Sequence, residues 1–212
     1  MRILFQQALN YYKLKSNNVK HKFYGVSQSI NVVDGIKENL EIRGANLLII
    51  TGGAGTKVGK NAQNILEKVR RTPVLIIRPP AFAFEKLYLT IVSDFRQKLN
   101  TIDLDNFCKV LENTNFEVKI LVLEIQNEIT IQATNNLEAL IIYLKPFLKQ
   151  VLTIEYTKLS YDFKDYIASH LDGIICVVDE KPDLFRKIGL SKSNLISKLE
   201  NSYSNPVLVV HQ

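Results

Sequence analysis

The sequence predicts an α/β protein with a parallel sheet. Short apolar runs of strand length alternate with segments whose apolar residues recur at helical spacing. Several runs, among them 45–50, 73–77, 171–178 and 206–210, are continuously apolar instead of alternating with polar residues. That is the pattern of strands buried on both faces. A strand–loop–helix–strand unit also occurs twice, which implies two similar domains in tandem.

In chain order, the segment before Tyr12 is expected to be helical and 22–26 to form a short strand. Val33, Ile36 and Leu40 mark a helix over 31–43, with Gly44 as its stop. Strand 45–50 ends at Gly52-Gly53-Ala54-Gly55, and Val58, Ala62, Ile65 and Val69 mark the next helix. Strand 73–77 is closed by Arg78-Pro79-Pro80. The alternation then restarts with strand 86–92, a helix through Leu104, Phe107/Cys108 and Leu111, and strand 118–125. A helix through Leu137, Leu140/Ile141, Leu144 and Leu148 leads to strand 151–157. A short helix over 161–170, strand 171–178, a helix through Leu195, Ile196 and Leu199, and strand 206–210 complete the chain.

The repeat aligns 45–50 with 171–176 and 73–77 with 206–210, separated by 27 residues (Asn46 to Pro73) and 34 residues (Asp172 to Pro206). Residues 1–80 therefore form an incomplete first domain and 85–212 a second one. The first has three strand candidates against five, without an opening strand–helix–strand unit.

With 212 residues, 46% of them hydrophobic, the chain has enough apolar residue for a core and is neither disordered nor collagen-like. No apolar run approaches the roughly 18–20 residues of a membrane span, and Gln6 and Gln7 cut short the N-terminal apolar stretch that a signal peptide would need. Cys108 and Cys176 are too few for a disulfide framework, so a reduced, cytoplasmic protein is expected. Charge is asymmetric. Residues 1–80 hold 13 Lys/Arg against 4 Asp/Glu, a net +9, whereas 81–212 hold 14 against 17, a net −3. A basic first segment suits an anionic partner, be it a nucleotide phosphate or an acidic surface. Nucleic acid suits it less, since no base-stacking motif accompanies the charge.

The segment with phosphate-binding chemistry is the loop 52–61. Gly52, Gly53, Gly55 and Gly59 let backbone N–H groups turn inward, and the following helix offers its positive end to the same anion. Thr56, Lys57 and Lys60 add a hydroxyl and two positive charges, and Asn61 completes the candidate set. The loop is neither a Walker loop nor a dinucleotide fingerprint, and a turn that binds nothing fits the same residues. Elsewhere, His21, His170 and His211 lack metal-ligand spacing, and the two cysteines fall on apolar faces as inert core residues. Asp103/Asp105 and Arg70-Arg71 stand at helix ends, where the macrodipole accounts for them.

Asn46 to Ile50, Gly52-Gly53-Ala54-Gly55, Gly59-Lys60-Asn61 and Pro73 to Ile77 together resemble the C-terminal half of a universal stress protein domain. The second segment resembles a whole domain, from Val92-Ser93-Asp94-Phe95 to Pro206-Val207-Leu208-Val209-Val210. The resemblance implies Rossmann-like, adenine-nucleotide-hydrolase-like domains in tandem, with sheet order third-second-first-fourth-fifth. It implies a non-catalytic stress-response protein with ATP or another adenine nucleotide at 52–61. It also implies association through the last strands, so that Pro73–Ile77 and Pro206–Val210 pair between subunits or with each other. The pattern departs from the family at Lys60, where Ser or Thr is usual. It departs also at Asp179-Glu180-Lys181-Pro182-Asp183, which replaces the second domain's glycines and suits phosphate poorly. Slow ATP hydrolysis at 52–61 is the rival enzymatic reading. It would need a carboxylate near Gly55, from among Asp34, Glu38, Glu41 and Glu67. A nucleotide-free interaction module is the other alternative.

Overall fold

A computed structural model describes residues 2–16, 18–51, 59–77, 87–111, 116–124, 129–148, 152–158, 166, 170, 173–179 and 205–211. Its elements are α1 (Arg2–Lys15), α2 (Val32–Arg43), β1 (Leu48–Thr51), α3 (Lys60–Lys68), β2 (Val74–Ile77), β3 (Leu87–Ser93), α4 (Thr101–Leu111), β4 (Phe116–Glu124), α5 (Ile131–Leu144), a 3-10 turn (Lys145–Phe147), β5 (Thr153–Lys158), β6 (Gly173–Asp179) and β7 (Val207–His211). The expected helices at 161–170 and 195–199 fall outside the described residues, apart from Tyr166 and His170. The domain boundary expected at 80–85 also falls outside them.

Local chemistry sets the helix ends. Asn31 caps α2, its Oδ1 accepting the Val33 N–H at 2.9 Å. Gly44 ends the same helix with φ of 57°, a left-handed turn that glycine adopts without strain. Thr130 caps α5 by accepting the Ala133 N–H at 3.1 Å, which starts that helix six residues before the apolar pattern reveals it at Leu137.

The strands form one seven-stranded sheet in the order β1-β2-β7-β6-β3-β4-β5. From β5 to β7, the second half follows the third-second-first-fourth-fifth order, every pair parallel. β1 and β2 are parallel to each other. The two halves meet antiparallel, with Val74 opposite Val209, Leu75 opposite Leu208 and Ile76 opposite Val207. Thus 73–77 and 206–210 pair with each other inside the chain, and each is flanked on both sides.

Core residues lie on both faces of the sheet. On one face, α3 packs Ala62, Ile65, Leu66 and Val69 over Val74, Ile76, Val207 and Val209, and α2 adds Val33. On the other, α4 and α5 cover the second half through Leu104, Phe107, Leu137 and Leu140.

Two expectations are corrected here. Residues 22–26 form no strand, and Tyr24 and Val26 are exposed. In the family order a third strand needs a second beside it, and the described residues provide none in the first half. Isolated extended backbone gains no ladder bonds to offset its entropy. β1 is not buried on both faces either: Ile49 is 56% exposed, because β1 is the sheet's edge and no described helix covers that face of it.

A polar contact reinforces the seam. Arg70, just past the end of α3, donates through Nη1 to the Asp179 carboxylate and through Nη2 to the Asp179 carbonyl at 2.8 Å. Asp179 is buried at the end of β6. Arg70→Ala should therefore cost about 3–5 kcal/mol by leaving that carboxylate without its guanidinium. Urea unfolding of Arg70→Ala, Asp179→Asn and the double variant should show strong non-additivity, and additive losses would mean that the bridge contributes nothing. Close strand packing supplies a second test. A Cβ on Gly173 would stand 2.6 Å from the Tyr88 carbonyl oxygen and 2.8 Å from the Tyr88 Cβ. Gly173→Ala should lower unfolding free energy by about 1–3 kcal/mol as β3 and β6 are pushed apart.

Candidate functional site

β1 delivers the chain at Thr51 to residues 52–58, and α3 carries it back from Lys60. Gly52, Gly53, Gly55 and Thr56 lie outside the described residues, whereas Gly59, Lys60 and Asn61 are placed at the start of α3 and are exposed. Buried Ala62, Ile65 and Leu66 fix this helix to the sheet. Its start is therefore held at the carboxyl end of β1, where ligands of open α/β sheets bind.

Gly59 is the N-cap and supplies no side-chain cap, and the first turn holds no acidic residue. The first intrahelical bond recorded there runs from the Gln63 N–H to the Gly59 carbonyl at 3.0 Å. The N–H groups before Gln63 have no acceptor within the helix. Together with the Lys60 ammonium they make a positively polarised end that accepts an anion. A Cβ at Gly59 would meet nothing within 4 Å, and φ is −63°. Neither conformation nor described neighbours demand glycine at 59.

The corresponding end of the second half is shaped by its own side chains. The Asp94 Oδ1 accepts the Arg96 N–H at 3.1 Å, and Ser93 Oγ accepts the Phe95 N–H at 3.0 Å. Phe95 is fully buried in a left-handed conformation, φ 53°. Its carbonyl accepts the Asn136 Nδ2 at 2.8 Å, which anchors the strained turn to α5. Asp179, expected to repel phosphate, is engaged by Arg70, and residues 180–204 lie outside the described residues.

These two strand ends face opposite ways. Because β2 and β7 are antiparallel, the carboxyl end of β1 lies at the opposite end of the sheet from those of β3 and β6. Asp94 therefore cannot complete a site begun at 52–61. The Arg70–Asp179 bridge was invisible to sequence reading, where Arg70 stood only as a helix-end cation. Its partner is 109 residues away, and no periodicity links them.

The histidines remain scattered. His21 shares hydrogen bonds with Ser16 Oγ at 2.7 Å and Asn18, His170 contacts the Tyr166 carbonyl, and His211 is buried on β7. Among the described residues, no group of three or more His, Cys, Asp or Glu is arranged to hold a metal. Asp103 is buried, with its Oδ2 accepting the His211 N–H at 3.1 Å. Burial raises its carboxyl above the ordinary value, partly opposed by that bond. Asp105 pairs with Lys109, which lowers its value.

Both cysteines are buried. Burial, with the Asp105 charge added, pushes the Cys108 thiol up to about 11. Burial pushes Cys176 up as well. Folding thus favours the neutral thiols. For Cys108 that stabilisation is complete below the unfolded value near 9 and is lost as pH rises through about 11. At about pH 8 neither thiol should react with a disulfide reagent in the folded protein, whereas both should react in denaturant. Fast labelling of the native chain would contradict this burial.

No protein-family model matches the sequence, and no curated protein does. Solved structures do match. A functionally unknown protein, PA1789 from Pseudomonas aeruginosa PAO1, is similar at TM-score 0.64 and 13% identity, over 99% of this chain and 77% of that one. A putative universal stress protein from Pseudomonas aeruginosa UCBPP-PA14 gives TM-score 0.64 and 12% identity, over the same shares. A universal stress protein from Archaeoglobus fulgidus DSM 4304 gives 0.56 and 16%, over 85% of this chain and 65% of its own. With the strand order and the α/β layering, these similarities lead to one conclusion: this chain has the fold of the universal stress proteins.

Proposed function

We propose that the protein is a cytoplasmic stress-response module that binds ATP or another adenine nucleotide at Gly52–Asn61 and does not turn it over. The observation that supports this reading is the start of α3. A glycine-capped helix end, with Lys60 and no carboxylate in its first turn, is held at the carboxyl end of β1. Glycines at 52, 53 and 55 put no Cβ in the way of the backbone turns that a phosphate cradle needs. The absence of acidic residues from that turn favours binding over hydrolysis, since water activation needs a base within hydrogen-bond reach. The basic balance of residues 1–80 favours a second reading, a nucleotide-free module that docks an acidic partner.

Nucleotide released from freshly purified, denatured protein decides between them. A near-stoichiometric adenine nucleotide supports the first reading, and Gly55→Asp and Lys60→Glu should each remove it. No released nucleotide, with no thermal shift on adding ATP, sinks the first reading and leaves the second.

A further inference from the structure

We propose that the open edge of β1 is a docking site for an extended, acidic segment of a partner protein, which adds to the sheet as an eighth strand. The proposal stands apart from the nucleotide reading, because it concerns the side of β1 and not the loop that follows it.

The internal repeat identifies the edge. By register, Ile49 of β1, opposite Leu75, corresponds to Cys176 of β6, opposite Leu208. Cys176, with β3 on one side and β7 on the other, is fully buried, whereas Ile49 is 56% exposed. Among the described residues β1 pairs only with β2. The Leu48 N–H donates to the Pro73 carbonyl at 3.0 Å, toward β2. Successive residues of a parallel strand direct their N–H and C=O groups to alternate sides. Ile49 and Thr51 therefore direct theirs to the open edge. Natural edge strands are usually blunted by lysine, proline or a bulge. β1, Leu-Ile-Ile-Thr, has none of these.

Apolar surface gathers on the same part of the chain. Of fifteen exposed large hydrophobic side chains among the described residues, ten lie between Tyr11 and Ile49. The stretch before β1 is laid along α2: Gln28 meets Glu38 and Asn39, and Tyr24 lies under the Arg43 guanidinium at 5.3 Å. Charge names the occupant. Residues 1–33 contain Arg2, Lys13, Lys15, Lys20 and Lys22 and no acidic residue, and residues 1–80 carry a net +9. A second copy docking here would bring like charge against like, whereas an acidic strand would be drawn in and held by main-chain hydrogen bonds.

The test uses the whole protein and a fluorescein-labelled peptide of alternating glutamate and valine. Its lysine–valine counterpart serves as control, and both are read by anisotropy with and without ATP. The acidic peptide should bind, less tightly as salt is raised, and the basic one should not. Bound peptide should slow amide hydrogen exchange at Ile49 and Thr51, a readout made on the unaltered chain. Ile49→Pro removes one outward N–H while leaving the Leu48 bond to Pro73 in place, and should weaken binding at least tenfold. The proposal is overturned by equal binding of both peptides, by no binding, or by exchange protection away from β1. Sedimentation showing a dimer that Ile49→Pro dissociates would assign the edge to a second copy instead, and would also overturn it. ATP should leave the affinity unchanged, so failure of the nucleotide reading and failure of this one give separate signals.

Discussion

The antiparallel pairing of β2 with β7 joins two halves whose other neighbouring strands all run parallel. It is dry: Val74, Leu75, Ile76, Val207, Leu208 and Val209 are all buried there. Each such side chain contributes about 1.5–3 kcal/mol relative to exposure. The backbone groups of both strands are satisfied on two sides, so neither is left as an edge. The Arg70–Asp179 bridge closes one end of this junction between α3 and β6. Its value lies in register as much as in energy, since a buried carboxylate tolerates few positions for its guanidinium.

The sense of that junction decides where chemistry can occur. Ligands of parallel α/β sheets gather at strand carboxyl ends. An antiparallel seam puts the carboxyl end of β1 at one end of the sheet and those of β3 and β6 at the other. The two halves therefore share no strand-end crevice. In the second, Asp94 is occupied with Arg96 and Asp179 with Arg70, while the first keeps an uncapped helix start beside Lys60. Among the described residues, β1 is one edge of that sheet and exposes Ile49, and β5 is the other and exposes Tyr156.

The fold was largely legible because apolar patterning is local. Runs such as 73–77 and 206–210 announce the buried strands β2 and β7, and spacings such as Ala62, Ile65 and Val69 announce a helix packed on one face. The error at 22–26 is equally physical. Lys22 to Val26 has strand-like composition, but β-propensity reports fitness for a sheet surface and supplies no neighbour. At the candidate site, the sequence marks the glycines and Lys60 as suited to phosphate because that chemistry depends on backbone freedom and charge within ten residues, and the structure describes only Gly59, Lys60 and Asn61 of that segment. Arg70 with Asp179, and Asn136 with the Phe95 carbonyl, were not, because each joins residues far apart in the chain.

By itself, the sequence determined the α/β class, the repeat, the basic first segment and the glycine loop, all of which are properties of neighbouring residues. It also marked 73–77 and 206–210 as strands suited to pair with each other. Only the tertiary structure decided that they do so antiparallel within one sheet, which end of that sheet each strand's carboxyl terminus occupies, and that Ile49 is exposed where its ladder counterpart Cys176 is buried. The two apolar runs are nearly alike. What separates them is the presence of β3 beside β6 and of no described strand beside the outer edge of β1, and burial is a property of neighbours in space, not in the chain.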